Sequence, residues 1–185
     1  NEQMERFFAI EPYRTYRDYF DVYTAIAVSP ENGIGGVNTI RDTKFGTTFT
    51  NDVGLLGEYD EIFAYVMKIP SVNESNLSQS LIVITPNTTD YGGITQMWED
   101  GSAIAFCPLS GDNYPYDARG IVQHEAGGHG FGKLGDEYIY YNSFIDDCLC
   151  LGAFKWGKAL GWYENLSLTG KMHEVPWAHF IFDDR

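Results

Sequence analysis

Residues 124–138 read HEAGGHGFGKLGDEY and carry the chemistry that the sequence shows most clearly. These fifteen residues hold two of the four histidines in the chain, three carboxylates and five glycines. Because each glycine inside a helix costs about 1 kcal/mol relative to alanine, such a density needs a chemical reason. Histidines and carboxylates are the usual nitrogen and oxygen ligands of zinc. The stretch therefore predicts a metal site on a helix that ends in a glycine turn.

The same residues can supply each part of a zinc hydrolase. Such a site needs imidazole and carboxylate ligands, one open coordination position for water and a nearby carboxylate to take the proton of that water. His124, His129 and an acid from Asp136 or Glu137 fit the ligands. Glu125 fits the general base that activates the zinc-bound water. Hydrolysis by a zinc-bound water is the reaction that these residues predict.

The spacing of the two histidines is unusual for an α-helix. His129 follows His124 by five residues, which places the two about 140° apart around the helix axis, whereas residues i and i+4 lie about 40° apart. A π-bulge would restore a common face. We therefore predict an i to i+5 hydrogen bond or a broken rung between residues 122 and 130, made possible by the conformational freedom of Gly127 and Gly128.

The motif resembles that of the IgA-peptidase family of zinc metallopeptidases, which reads roughly HE-x-GH-x-x-x-x-L-x-DEY. Gly128-His129, Leu134 and Asp136–Tyr138 match it in order and spacing. Gly132 occupies the position of the metzincin glycine. Three upstream pieces, Glu11-Pro12-Tyr13, a predicted strand over 19–28 and the turn Tyr91-Gly92-Gly93, extend the likeness over most of residues 10–140. It implies a secreted, periplasmic or cell-surface zinc endopeptidase with a zincin-like fold, ligated by His124, His129 and Asp136, with Glu125 as base.

Two features depart from that family. The histidines are spaced as HExxxH, as in dipeptidyl peptidase III, instead of HExxH, and Met172 is the one downstream candidate for a Met-turn. The resemblance implies that a first strand before residue 1 and a C-terminal Met-turn lie outside the chain. If Asp136 is not the third ligand, the alternatives are Glu137, then Glu164 or Glu174.

The length and net charge of the chain restrict its domain organisation and its partners. The 185 residues suit a single domain, 1–185, and the net charge of −14 disfavours nucleic acid and anionic membranes as partners. No apolar run approaches the roughly 20 residues of a membrane-spanning helix. An extended peptide or protein is the expected substrate, paired with a sheet edge between Tyr91 and Phe106 and preferably neutral or basic.

The remaining pattern predicts an α/β (α+β) fold, a mixed sheet packed by helices. Apolar spacing, β-branched runs and prolines predict the following elements: helices over 1–9 and 55–69, a helix starting at 112–115, strands over 19–28, 81–85 and 102–107, and a loop over 31–52. The strand over 81–85 is expected to be covered on both faces.

Two other functions fit the same residues. One is a non-catalytic, zinc-stabilised binding module, and the other is a zinc hydrolase of a non-peptide amide. Glu125 favours an enzyme, because a structural zinc has no use for a base beside an open position.

Overall fold

The structure, a computed structural model, describes residues 2–50, 53–138 and 149–181. Contacts divide the chain into two compact units, residues 1–131 and 132–185. Helices and two small sheets make an α+β fold, as predicted. No helix among the described residues is both long and apolar enough to span a membrane.

Five short strands form the two sheets of the first unit: β1 Thr48–Phe49, β2 Leu55–Leu56, β3 Leu81–Ile84, β4 Ile94–Met97 and β5 Ala103–Phe106. Strands β1 and β2 pair antiparallel. The other three form a mixed sheet in the order β3–β5–β4, with β5 parallel to β3 and antiparallel to β4. Strand β4 therefore lies at an edge, where Thr95 stands opposite Ala105.

Helices cover both faces of the central strand. The helical elements of the first unit are α1 Glu2–Phe7, a 3-10 turn Arg17–Tyr19, α2 Tyr59–Val66, a 3-10 turn Leu77–Gln79, α3 Ala118–Ile121 and a π-helix Val122–Phe131. All four residues of β5 are buried, because Ala105 packs with α1 and the π-helix whereas Ile104 and Phe106 pack with α2. This explains its continuous apolar run, which is typical of a strand covered on both faces.

The second unit contains two helices in its described part, α4 Leu149–Ala159 and α5 Ala178–Ile181. The ring of Tyr163 stacks on Phe154 with centroids 6.0 Å apart. A side chain at Gly157 would clash with Cε2 of Tyr163, so the missing Cβ permits this close approach. Trp162, also buried, contacts Trp156 edge-on.

The strand predicted over 19–28 is wrong. The 3-10 turn ends at Tyr19, and the following residues pair with no strand in the parts of the chain that the structure describes. Ile26 and Val28 are 81% and 79% exposed. A β-branched run gains little from a strand conformation when no neighbouring strand or helix covers it.

Two helix boundaries also differ from the prediction. The helix expected from Leu55 begins at Tyr59, because Leu55–Leu56 pairs with β1. The helix expected to start at 112–115 begins at Ala118, where the Asp117 carboxylate accepts a hydrogen bond of 2.8 Å from Gly120 N. Strand β4 was not predicted. The prediction that the strand over 81–85 is covered on both faces is wrong, because Val83 of β3 is 38% exposed. The strand that is covered on both faces is β5.

Candidate metal centre and active site

The sequence motif lies on the π-helix, which continues directly from α3. Asp117 caps the N-terminus of α3, and the ten residues Val122–Phe131 follow with i to i+5 hydrogen bonding. The predicted widening between residues 122 and 130 is therefore confirmed, although it extends over the whole motif and is not a single bulge. A wider turn returns residue i+5, rather than i+4, to the face of residue i.

The two histidine rings consequently meet. Nε2 of His124 and Nε2 of His129 lie 3.1 Å apart, and the ring planes are nearly perpendicular at 83°. His124 is exposed and His129 is half-buried. A regular α-helix could not bring these nitrogens together.

The glycines act differently from the prediction. Neither Gly127 nor Gly128 has a positive φ, so the π-helix does not depend on a left-handed conformation at either residue. Gly127 provides space, because a Cβ there would lie 3.0 Å from Tyr13 Cε2, and the Tyr13 hydroxyl donates a hydrogen bond of 2.7 Å to Gly127 O. Gly128 has open surroundings, because a Cβ there would have Gln123 O, at 3.9 Å, as its nearest neighbour outside the adjoining backbone.

The third candidate ligand, Asp136, lies in the segment that follows the π-helix. Ligand atoms of His124, His129 and Asp136 all lie within 4.8 Å of one another, the one such group of three among the described residues. Asp136 is exposed. The structure thus brings together the three residues that the sequence suggests as ligands.

Asn165 binds the backbone of Gly135, just before Asp136, and the side chain of Glu137, just after it. Its side chain accepts a hydrogen bond of 2.9 Å from Gly135 N and donates to Gly135 O at 2.7 Å. The same amide nitrogen donates to Glu137 Oε1 at 2.9 Å. Sequence reasoning missed this residue, because nothing in the local pattern around Asn165 indicates a contact with residues 30 positions earlier.

The alternative third ligands have other partners. Glu137 accepts the hydrogen bond from Asn165, as a supporting carboxylate would. Glu164 pairs with Lys158 Nζ at 2.9 Å, and Glu174 pairs with Lys171 Nζ at 2.8 Å. Among these four carboxylates, Asp136 is the one grouped with both histidines in the described part of the chain.

Glu125, the candidate base, is buried beside the edge strand. It is 8% exposed, and the Thr95 hydroxyl lies 2.9 Å from its Oε2 and 2.8 Å from its backbone oxygen. Burial, and then the charge of Glu125, raise the pKa of the Cys107 thiol well above its usual value. Cys107 therefore remains a neutral thiol, which is a poor metal ligand.

The donor set fits a zinc ion. Bonds of about 2.0–2.1 Å in a tetrahedral site separate the ligand atoms by about 3.3 Å, close to the 3.1 Å between the histidine nitrogens. Two imidazoles and one carboxylate leave a fourth position open, which is typical of a catalytic site rather than a structural one.

Comparison with protein families agrees with this geometry. The sequence model for IgA peptidase M64 matches residues 1–183. The chain belongs to the IgA peptidase M64 family. This is a family of metallopeptidases, so the chain is a peptidase by family, and its His-His-Asp group could hold a metal ion. No curated protein gives a significant match.

Proposed function

We propose that the chain is a zinc-dependent metalloendopeptidase in which His124, His129 and Asp136 hold the zinc and Glu125 is the general base. One observation carries the proposal: the ligand atoms of the three residues lie within 4.8 Å of one another, and the carboxylate next to His124 in sequence is buried against the edge strand. The family match supports a peptidase.

The chemistry divides between the metal and the protein. A zinc ion at such a site polarises the scissile carbonyl and lowers the pKa of water toward about 7. Glu125 accepts a proton from the attacking water as the oxygen adds to the carbonyl carbon. It then delivers that proton to the leaving amine as the C–N bond breaks. The burial of Glu125 keeps competing water away from the carboxylate during this transfer.

The substrate in this proposal is an extended peptide that pairs with β4. An edge strand offers backbone groups for hydrogen bonds to an added strand, and β4 lies at the edge between Tyr91 and Phe106 where such pairing was expected. Thr95 on β4 contacts Glu125, so a peptide on this edge would run beside the candidate base. The charge of −14 favours neutral or basic peptides, with an effect that salt weakens.

We also propose that the chain acts outside the cytoplasm, as a secreted, periplasmic or cell-surface enzyme. The resemblance to the IgA-peptidase family supports this location. Fractionation of the source cells, followed by detection with an antibody against the chain, tests it, and a purely cytoplasmic signal would contradict it.

Metal analysis tests the ligand set. The purified chain should contain one equivalent of zinc by mass spectrometry, and Asp136→Asn should lower the zinc content. Glu164→Gln is the matched control, because Glu164 pairs with a lysine and should leave the zinc content unchanged. Loss of zinc in the control but not in Asp136→Asn would assign the third ligand to Glu164.

Turnover tests the reaction. A library of quenched fluorogenic peptides should be cleaved, with activity lost in 1,10-phenanthroline and recovered with zinc. Glu125→Gln should keep its zinc and lose about 10²- to 10⁴-fold in kcat, whereas Glu164→Gln should retain wild-type turnover. A zinc-loaded chain that cleaves no peptide would favour the binding module, and cleavage of a non-peptide amide alone would favour the other hydrolase.

A further inference from the structure

Two residues of the edge-strand region contact the carboxylate of Glu125 from different sides. The first is Thr95 on β4, whose Oγ1 lies 2.9 Å from Glu125 Oε2. The second is Gly93, immediately before β4, at which an added Cβ would lie 2.7 Å from Oε1 and 2.9 Å from Cγ of Glu125. One carboxylate oxygen therefore has a hydrogen-bond partner, and the other occupies space that only a glycine leaves empty.

This arrangement limits the rotation of the carboxylate. The terminal torsion of a glutamate is broad and has no sharp minimum of its own, so external contacts must set the orientation. The oxygen of a general base has to lie within about 2.6–3.2 Å of the atom that carries the proton it accepts. A displacement of about 1 Å can cost about 10²-fold in rate.

The hydroxyl of Thr95 also reaches the backbone of the same residue. Its distance to Glu125 O is 2.8 Å, and because both Glu125 oxygens are acceptors, the one hydroxyl proton is shared between them. The single side chain thus links the edge strand to both the main chain and the carboxylate of Glu125. A merely structural role would need only the contact with the main chain.

We propose that Thr95 and Gly93 are positioning residues for Glu125, which fix its carboxylate in the orientation required for proton transfer. This inference rests on the proposed function. Thr95 orients Oε2 by hydrogen bonding, and Gly93 makes room for Oε1 and Cγ. Neither residue contacts the substrate carbonyl in this role, and neither is expected to change metal binding.

The test compares Thr95→Val, which keeps the shape but removes the hydroxyl, with Thr95→Ser, which keeps the hydroxyl. We expect Thr95→Val to lower kcat on the fluorogenic peptides by about 10- to 100-fold, as for the loss of a hydrogen bond to a charged group, with little change in KM. Thr95→Ser should recover most of the rate. Zinc content should match wild type in both variants.

A second readout does not depend on turnover. Crystal structures of the metal-free chain should show the Glu125 carboxylate rotated in Thr95→Val and in its wild-type orientation in Thr95→Ser. An unmoved carboxylate with wild-type kcat in Thr95→Val would overturn the role of Thr95. Equal losses of kcat in both variants would also overturn it, because the hydroxyl would then not be the group that matters.

Gly93→Ala tests the other side of the carboxylate, with Gly111→Ala as its matched control. A Cβ at Gly111 would meet nothing within 4 Å, so this control should leave kcat and the position of Glu125 unchanged. Gly93→Ala should displace the carboxylate in metal-free crystals and lower kcat while zinc content is retained. A wild-type carboxylate position in Gly93→Ala would overturn the role of Gly93.

Glu125→Gln separates this inference from the proposed function. Full turnover in Glu125→Gln would remove the base itself and overturn the proposed function. Loss of turnover in Glu125→Gln together with full turnover in Thr95→Val and Gly93→Ala would leave the base in place and overturn only the positioning roles.

Discussion

The π-helix Val122–Phe131 and the segment 19–28 show opposite relations between local sequence and structure. The first contains three glycines in ten residues and forms a continuous helix. The second is rich in β-branched and aromatic residues, which favour strands, yet it forms no strand among the described residues. The intrinsic preference of the residues therefore fails to predict the structure in both regions. A helix forms where glycines disfavour it, and no strand forms where β-branched and aromatic residues favour one.

Burial explains the difference. Val122 and Ala126 of the π-helix are 1% and 0% exposed and pack with α1 and β5, whereas Ile26 and Val28 of the segment are almost fully exposed. The cost of glycines is offset when the helix buries its apolar face against a sheet. Strand preference is a preference for a half-buried, pleated surface, and Ile26 and Val28 lie on no such surface.

The largest effect should come from the same substitution in both regions. Val122→Ala removes two buried methyl groups and should lower the free energy of unfolding by about 2 kcal/mol. Val28→Ala should change it by less than about 0.5 kcal/mol, because the side chain is exposed. Urea denaturation measures both values. Equal losses would mean that the segment is buried in solution, and burial would then not explain the difference between the two regions.

A smaller effect should separate two neighbouring glycines. Gly127→Ala places a methyl group against Tyr13, which is held among the rings of Phe7 and Phe20, so overpacking should cost about 1–2 kcal/mol. Gly128→Ala has open space and should leave the free energy of unfolding unchanged or raise it by up to about 1 kcal/mol. Thermal denaturation of the metal-free chain measures the pair. The reverse order would show that Gly128 is needed for its backbone conformation, as the sequence alone suggested.

The smallest effect should come from two tyrosine hydroxyls. The Tyr13 hydroxyl donates to Gly127 O of the π-helix in a buried bond, and Tyr65 donates to Ile26 O of the segment in an exposed bond of 2.8 Å. Tyr13→Phe should cost about 1 kcal/mol because it leaves a buried carbonyl with one partner fewer. Tyr65→Phe should lower the free energy of unfolding by only a few tenths of a kcal/mol, because water replaces the lost donor. Chemical denaturation distinguishes them, and a larger loss for Tyr65→Phe would contradict the assignment of buried and exposed bonds.

Much of the candidate site could be predicted because its residues are close in sequence. The five-residue spacing of His124 and His129 required a widened helix if both were to bind one metal, and the π-helix agrees with that requirement. Asp136 follows within seven residues, so local chain geometry limits where it can lie.

The contacts that support the site could not be predicted in the same way. Thr95 reaches Glu125 across 30 positions, and Asn165 reaches Gly135 across another 30. Such pairs depend on how the sheet and loops are assembled, and a short polar residue in a strand or loop carries no signal of its distant partner. The missing strand over 19–28 has the same cause, since a strand requires a neighbour that the local sequence does not specify.

Asn165 has a practical consequence for producing the protein. It begins the triplet Asn165-Leu166-Ser167, an acceptor for N-linked glycans in hosts that attach them. Its Nδ2 donates both of its hydrogens, to Gly135 O and to Glu137 Oε1, and a sugar would replace one of these hydrogens and add bulk next to Asp136. A eukaryotic secretory host that glycosylates Asn165 would therefore be expected to yield protein with lower occupancy of the proposed zinc site, whereas a host without this modification leaves the amide available to bind Gly135 and Glu137 on either side of Asp136.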